Sequence, residues 1–257
     1  MAVLRIALAL ALTLAGPSLH AAELVIEGSS TMARMLITPI ADAWQKTQSK
    51  TTVRIIANDS TNGIAALLDR RVDAAMSSRS PSEVESRLAE EGGQRWQPFL
   101  VANDQLTVIV HQDNATREFT PKQLEQLFCG DTLQWQDVGG KPAPVLVMMR
   151  KPGSGIHAEW RNQAMRWRLF ADGTRVYPND QALLTSLNDT PSGLSVMSSA
   201  QPLPARLQRV KILGPGWQRP LLLLIPQPPR EELASFLSFI ESPAGSDLKK
   251  RAGFSIQ

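Results

Sequence analysis

Short apolar runs alternate along this chain with stretches of helical periodicity, and no other feature constrains the fold as much. Residues 24–26, 53–57, 74–76, 106–110, 145–149, 210–213 and 221–225 have the length and apolar content of buried strands. Between them, Met32, Met35, Leu36, Ile40, Ala43 and Trp44 recur at the spacing of one helix face. Ile64, Leu67 and Leu68 do the same, as do Ile156, Trp160, Ala164 and Trp167, and Leu233, Phe236, Leu237 and Ile240. These Met and Trp stripes read as core, not as a cofactor box. Strand and helix in alternation predict an α/β protein with largely parallel sheets.

The first residues are of another kind. Arg5 is their one charged residue, residues 6–15 are almost unbroken Ala, Leu and Ile, and Gly16, Pro17, Ser18, Ala21 and Ala22 follow. A basic start, a short apolar core and a small-residue exit predict a cleavable signal peptide over residues 1–22. The apolar run is about half the roughly 20 residues that a membrane span needs. No Cys lies near the cleavage point to carry a lipid, so the mature chain is expected free in the periplasm, starting at Ala22 or Glu23.

Charge and cysteine usage narrow the function. Lys and Arg number 27 against 24 Asp and Glu, a net charge of +3. No stretch clusters basic residues with aromatics as a nucleic-acid surface does, so no nucleic-acid partner is expected. Arg161, Arg166 and Arg168 beside Trp160 and Trp167 read as a solvated helix face. Cys129 is the one cysteine, so an exported chain must rely on its core rather than a disulfide. It follows Leu127 and Phe128 and is expected to pack as a small apolar residue. Beyond the leader, His111 and His157 are the remaining histidines, with no ligand spacing between them. Neither a metal nor a cofactor is expected.

Two places read as crossings between lobes: residues 101–105, and Thr190-Pro191-Ser192-Gly193. They divide the mature chain into a first lobe from residues 23–103 and 193–257 and a second lobe from 104–192.

One local pattern recurs: a strand ends, small hydroxyl and glycine residues follow, and a helix begins. It occurs at Gly28-Ser29-Ser30-Thr31, at Asn58-Asp59-Ser60-Thr61-Asn62-Gly63 and at Arg150-Lys151-Pro152-Gly153-Ser154-Gly155. The first N–H groups of a helix lack internal partners, and the helix end carries about half a positive charge. Such a turn therefore either caps its helix or holds an anion. Three of them at strand ends favour an anion, because ligands of open α/β sheets sit beyond the carboxyl ends of strands. Arg150 adds a forked cation suited to a tetrahedral oxyanion. Ser77-Ser78-Arg79-Ser80-Pro81, after the strand at 74–76, offers a fourth loop of the same chemistry. Enzyme signatures are incomplete. Neither Gly28-Ser29-Ser30 nor Gly153-Ser154-Gly155 completes a nucleophile elbow, and Gly140-Lys141-Pro142 fails as a Walker loop.

Five stretches in order resemble the periplasmic phosphate-binding proteins of ATP-driven importers, within the type II solute-binding superfamily. They are Ile26-Glu27-Gly28-Ser29-Ser30-Thr31, Arg71 through Ser77-Ser78-Arg79, Phe119-Thr120-Pro121 through Gly139-Gly140, Arg150-x-x-Gly153-Ser154-Gly155, and Phe239-Ile240-Glu241-Ser242-Pro243 through Gly253-Phe254. The resemblance implies a two-lobed type II periplasmic binding protein fold with the ligand cleft between the lobes. It implies a monomer that captures phosphate and delivers it to the membrane subunits of an ABC importer. Ser30 and Thr31 would donate from the first turn, Ser60 and Thr61 from the second, and Ser78 or Arg79 from the third. Arg150 would pair with anion oxygens, with Gly153, Ser154 and Gly155 shaping the second-lobe clamp. Ile156 stands where the family often has Thr, and the third loop carries no carboxylate. Asp59 is then the candidate acceptor for the phosphate proton, or simply the cap of the second helix. A phosphate-sensing or adhesion accessory of the same fold, or a carrier of another oxyanion, are the other expectations.

Overall fold

The computed structural model describes residues 22–47 and 51–255. The signal peptide expected at 1–22 lies outside them but for Ala22.

The first lobe is built on β1 (Ala22–Ser29), which lies parallel between β2 (Thr51–Asn58) and β3 (Ala74–Ser77). Its helices are α1 (Ser30–Met32), which continues through a widened π turn at Ala33–Ile37 into α2 (Thr38–Gln45), then α3 (Ser60–Leu68) and α4 (Glu83–Glu91). Gly28 makes the exit from β1 possible. Its φ is +137°, and a Cβ there would lie 2.1 Å from the Met76 carbonyl oxygen on β3.

The second lobe follows β4 (Trp96–His111) with β5 (Glu118–Phe119), α5 (Pro121–Cys129), β6 (Leu146–Arg150), α6 (Gly155–Gln163), β7 (Arg175–Tyr177), α7 (Asp180–Asn188), β8 (Gly193–Ser198), β9 (Leu207–Arg209) and β10 (Lys211–Ile212). The chain returns along β11 (Trp217–Pro226) and ends in α8 (Glu231–Glu241) and α9 (Pro243–Arg251) against the first lobe. The sheet order is β2-β1-β3-β11-β4-β8-β6-β7, with β9 also on β4.

Each lobe has its own core. Leu24, Ile26, Leu36, Trp44, Leu223 and Phe236 pack together in the first. On the other face of the same sheet, Ile64 and Leu67 meet Leu222 and Leu224. The unbroken Leu221-Leu222-Leu223-Leu224-Ile225 run is thus a strand buried on both faces, its residues alternating between two helical layers. Val108, Phe128, Trp160, Leu194 and Val196 anchor the second lobe, where Cys129 packs as a partly buried neighbour.

Three expectations change. The flanking pairs β1–β2, β1–β3, β6–β7 and β6–β8 are parallel, but β3–β11, β4–β11 and β4–β8 are antiparallel, so the sheet is mixed. The return crossing is not at 190–193. Leu194, Val196 and Val210 belong to the second core, and the chain changes core between Trp217 and Leu221. The Ser192-Gly193 turn marks the start of β8, every residue of which is buried. Its Pro and Gly signalled a boundary that is only a tight turn: Gly193 lies where a Cβ would meet Leu187 at 2.4 Å. Finally, Trp167 is 63% exposed and outside the core. Helix α6 stops at Gln163, and the left-handed backbone of Arg166 and Trp167 breaks the stripe that Ile156, Trp160 and Ala164 share.

The outward crossing runs through β4, with Val101 and Ala102 in the first core and Leu106 in the second. β4 and β11 are hydrogen-bonded along the whole length of β11, from Trp217 opposite Leu106 to Pro226 opposite Trp96, with an irregularity at Leu221/Leu222. This paired ribbon joins the lobes and is where a hinge between them would lie.

Candidate functional site

Three helix starts meet where the lobes face each other. Ser29 caps α1, its Oγ accepting the Met32 N–H at 3.4 Å. Asp59 caps α3, its Oδ1 accepting the Asn62 N–H at 2.9 Å. Ser154 caps α6, its Oγ accepting the His157 N–H at 3.3 Å. Each cap occupies one first-turn amide and leaves others without an intrahelical partner. Ser30, Thr31, Ser60, Gly155 and Ile156, which supply those amides, all line one small cavity. Two helix dipoles point into it from the first lobe and one from the second.

Arg150 closes the cavity from the end of β6 and is 2% exposed. One arm of its fork donates to Asp180 Oδ1 and, at 3.4 Å, to Ser30 Oγ. The other arm donates to the Pro178 carbonyl at 3.1 Å, and Nε has no hydrogen-bond partner. Asp180 Oδ2 accepts from the Thr31 hydroxyl and from Arg34, each at 3.3 Å, so one buried carboxylate ties the second lobe to the first. Lys151 pairs with Asp59 at 2.7 Å, and the Thr61 N–H and hydroxyl both reach the Gly153 carbonyl at 3.2 Å.

Of the expected site residues, Ser30, Thr31, Asp59, Ser60, Arg150, Ser154 and Gly155 line the cavity. Thr61, Ser78, Arg79 and Gly153 are not among the residues that line it. Ser78 is a brace: its N–H donates to Ser60 Oγ at 3.0 Å and its hydroxyl is shared with Ser29 Oγ. Arg79 is committed to Glu85, with two contacts of 2.7 Å, and to Thr61 Oγ1 at 3.0 Å. Burial alone would raise the Glu85 carboxyl, but Arg79 and the Ser82 N–H outweigh it and hold it below its ordinary 4.5. The stability from that pair is complete above the ordinary carboxylate range and is lost as pH falls through the lowered value. His157 turns its ring to Phe170, 4.8 Å between centroids, and burial, aided by Arg161, lowers its pKa. Its side chain does not replace the hydroxyl that Ile156 lacks.

Sequence reasoning missed Asn58, Asp180 and Arg219. Asn58 ends β2 beside the second turn and lines the cavity. Asp180 follows the N-cap Asn179 at the start of α7, after β7, so it obeys the same strand–turn–helix pattern. β7 is only three residues long and mostly exposed, which hid the signal. Arg219 lies in β11 two residues ahead of the 221–225 run that reads as a strand, so it falls outside every expected element.

Comparison with known proteins adds independent findings. A family model described as a PBP superfamily domain matches residues 15–240. The chain is 29% identical over 116 residues to the phosphate-binding protein PstS 2 of Streptococcus agalactiae, covering 45% of this chain and 37% of that one. It is 25% identical over 180 residues to the phosphate-binding protein PstS of Pseudomonas aeruginosa, covering 65% and 55%. The chain therefore spans roughly a third to a half of these relatives' length. A solved substrate-binding protein assigned to a phosphate ABC transporter of Clostridium perfringens, with bound phosphate, superposes with a TM-score of 0.82. That likeness covers 91% of this chain and all of the other at 18% identity.

Proposed function

The chain belongs to the PBP superfamily and has the type II periplasmic binding protein fold, and from that premise we propose that it captures inorganic phosphate between its lobes and delivers it to the membrane subunits of an ABC importer. The observation that carries this reading is the convergence of three helix N-termini and the buried Arg150 on one small cavity. A multiply charged anion enters such a space only if fixed donors replace its water. The similarity to phosphate-binding proteins supports phosphate over other oxyanions. The protein acts as a periplasmic monomer and as a carrier, with no chemistry done on the anion.

Isothermal titration and thermal shift against phosphate, arsenate, sulfate, molybdate and vanadate test the reading. Phosphate is expected to bind tightest and to raise the melting temperature most. A protein that ignores phosphate, or prefers sulfate, would overturn it. Loss of phosphate uptake in a deletion strain would separate transport from sensing.

Phosphate differs from sulfate by carrying a proton at neutral pH, and a selective site gains from an acceptor for it. Asp59 Oδ2 takes Lys151 and the Asn62 side chain, whereas Oδ1 takes the Asn62 N–H alone. A carboxylate oxygen has two lone pairs, so Oδ1 keeps one for the ligand. Asn caps a helix about as well as Asp, so Asp59→Asn keeps the cap while removing the negative charge and the Lys151 pair. The expected result is a reduced phosphate-to-sulfate preference by calorimetry, with a modest fall in melting temperature from the lost Lys151 pair. An unchanged preference would leave Asp59 as a cap only.

A further inference from the structure

We propose that Arg219, on the hinge strand β11, is a second cation of the anion site, and that Asp104 competes with the bound anion for it; this deepens the phosphate reading and rests on it. Arg219 is 2% exposed and lines the same cavity as Arg150. It sits directly opposite Asp104 in the β4–β11 pairing, where the chain passes between lobes. Asp104, 1% exposed, accepts from Arg219 Nε at 2.8 Å through Oδ2 and from the Ser198 hydroxyl at 2.6 Å through Oδ1. Arg219 Nη2 also lies 2.8 Å from Oδ2, but its N–H is not aimed at that oxygen and has no other acceptor.

A buried N–H left without a partner is costly and needs an explanation. A buried ion pair also gives a fold little that packed apolar residues would not. Both features make sense if the guanidinium serves a ligand. An anion in the cavity presents oxygens to the wall that Arg219 forms. Arg219 and Arg150 are then two buried guanidiniums, each with an unpartnered N–H, at one cavity. Arg150 comes from the second lobe and Arg219 from the hinge itself, so the anion touches both moving lobes and the ribbon about which they move.

The test is calorimetric titration of inorganic phosphate into three proteins. Arg219→Gln is expected to weaken binding roughly 10- to 100-fold, the value of a charge-assisted contact. Asp104→Asn should do the reverse: it frees the fork and removes a negative charge near the ligand, so phosphate binds several-fold more tightly although the unliganded protein melts lower. A merely structural pair would lower both melting temperatures without this opposition of sign. Should Arg219→Gln fail to fold, Arg219→Lys keeps the charge beside Asp104 and should still weaken binding several-fold. Wild-type affinity in a folded Arg219 variant, or unchanged or weaker binding in Asp104→Asn, overturns the inference alone. A wild-type protein that binds no phosphate overturns the function beneath it as well.

Discussion

Arg150→Ala is expected to weaken phosphate binding by about 2–5 kcal/mol, the range for removing one partner of a buried charged contact. The side chain is 2% exposed and set at the end of β6, ahead of the turn into α6. Its loss acts twice. The anion loses a fork that matches tetrahedral oxygens, and Asp180 loses its closest cation. Asp180 is 3% exposed and would keep Arg34 as its cation, at 3.3 Å and itself half in solvent, beside the Thr31 hydroxyl. An undercompensated buried carboxylate repels the ligand and loosens the lobe contact. The melting temperature without phosphate should therefore fall too, and the stabilisation that phosphate confers should shrink more. Arg150→Lys restores charge without the planar fork and should recover part of the affinity. Calorimetry and thermal unfolding read both effects, and wild-type affinity in Arg150→Ala would remove Arg150 from the site.

How much of the fold and site is legible in the sequence follows from the range of each signal. Helix starts are local. The hydroxyl or carboxylate that caps a helix, and the amide three residues on that donates to it, are written in neighbouring residues, so the turns holding Ser30, Ser60 and Ser154 can be placed from residue order alone. The hinge is not local. The Thr31–Asp180 contact spans 149 positions, and the Arg219–Asp104 pair spans 115. Nothing near Arg219 distinguishes it from a surface arginine beside a proline. β8 is hidden because its Gly193 and the preceding Pro191 resemble a linker. Arg79 misleads for a different reason. Ser82-x-x-Glu85 is a capping box readable from sequence, and it places a carboxylate six positions from Arg79. That carboxylate, and not the cavity, takes the arginine's fork.

Gly155→Ala should separate closure from folding. Gly155 belongs to the second lobe, and a Cβ on it would lie 2.6 Å from both the Cβ and the carbonyl oxygen of Ser78 in the first lobe. Ser78 cannot retreat, because its N–H is held by Ser60 and its hydroxyl by Ser29. The collision exists only when the lobes meet. Within the second lobe, alanine at the first position of α6 is a better helix former than glycine. The variant should fold, with a melting temperature without phosphate that falls less than that of Arg150→Ala, because no buried carboxylate loses its cation. The closed form instead carries the overpacking cost of about 1–3 kcal/mol, which weakens phosphate binding roughly 5- to 150-fold. Small-angle scattering should show less contraction on adding phosphate than in wild type. Arg150→Ala, by contrast, removes a donor from the site and lowers stability as well as affinity. If Gly155→Ala bound phosphate as tightly as wild type, the anion would not need Gly155 pressed against Ser78, and capture would not depend on lobe closure at this contact.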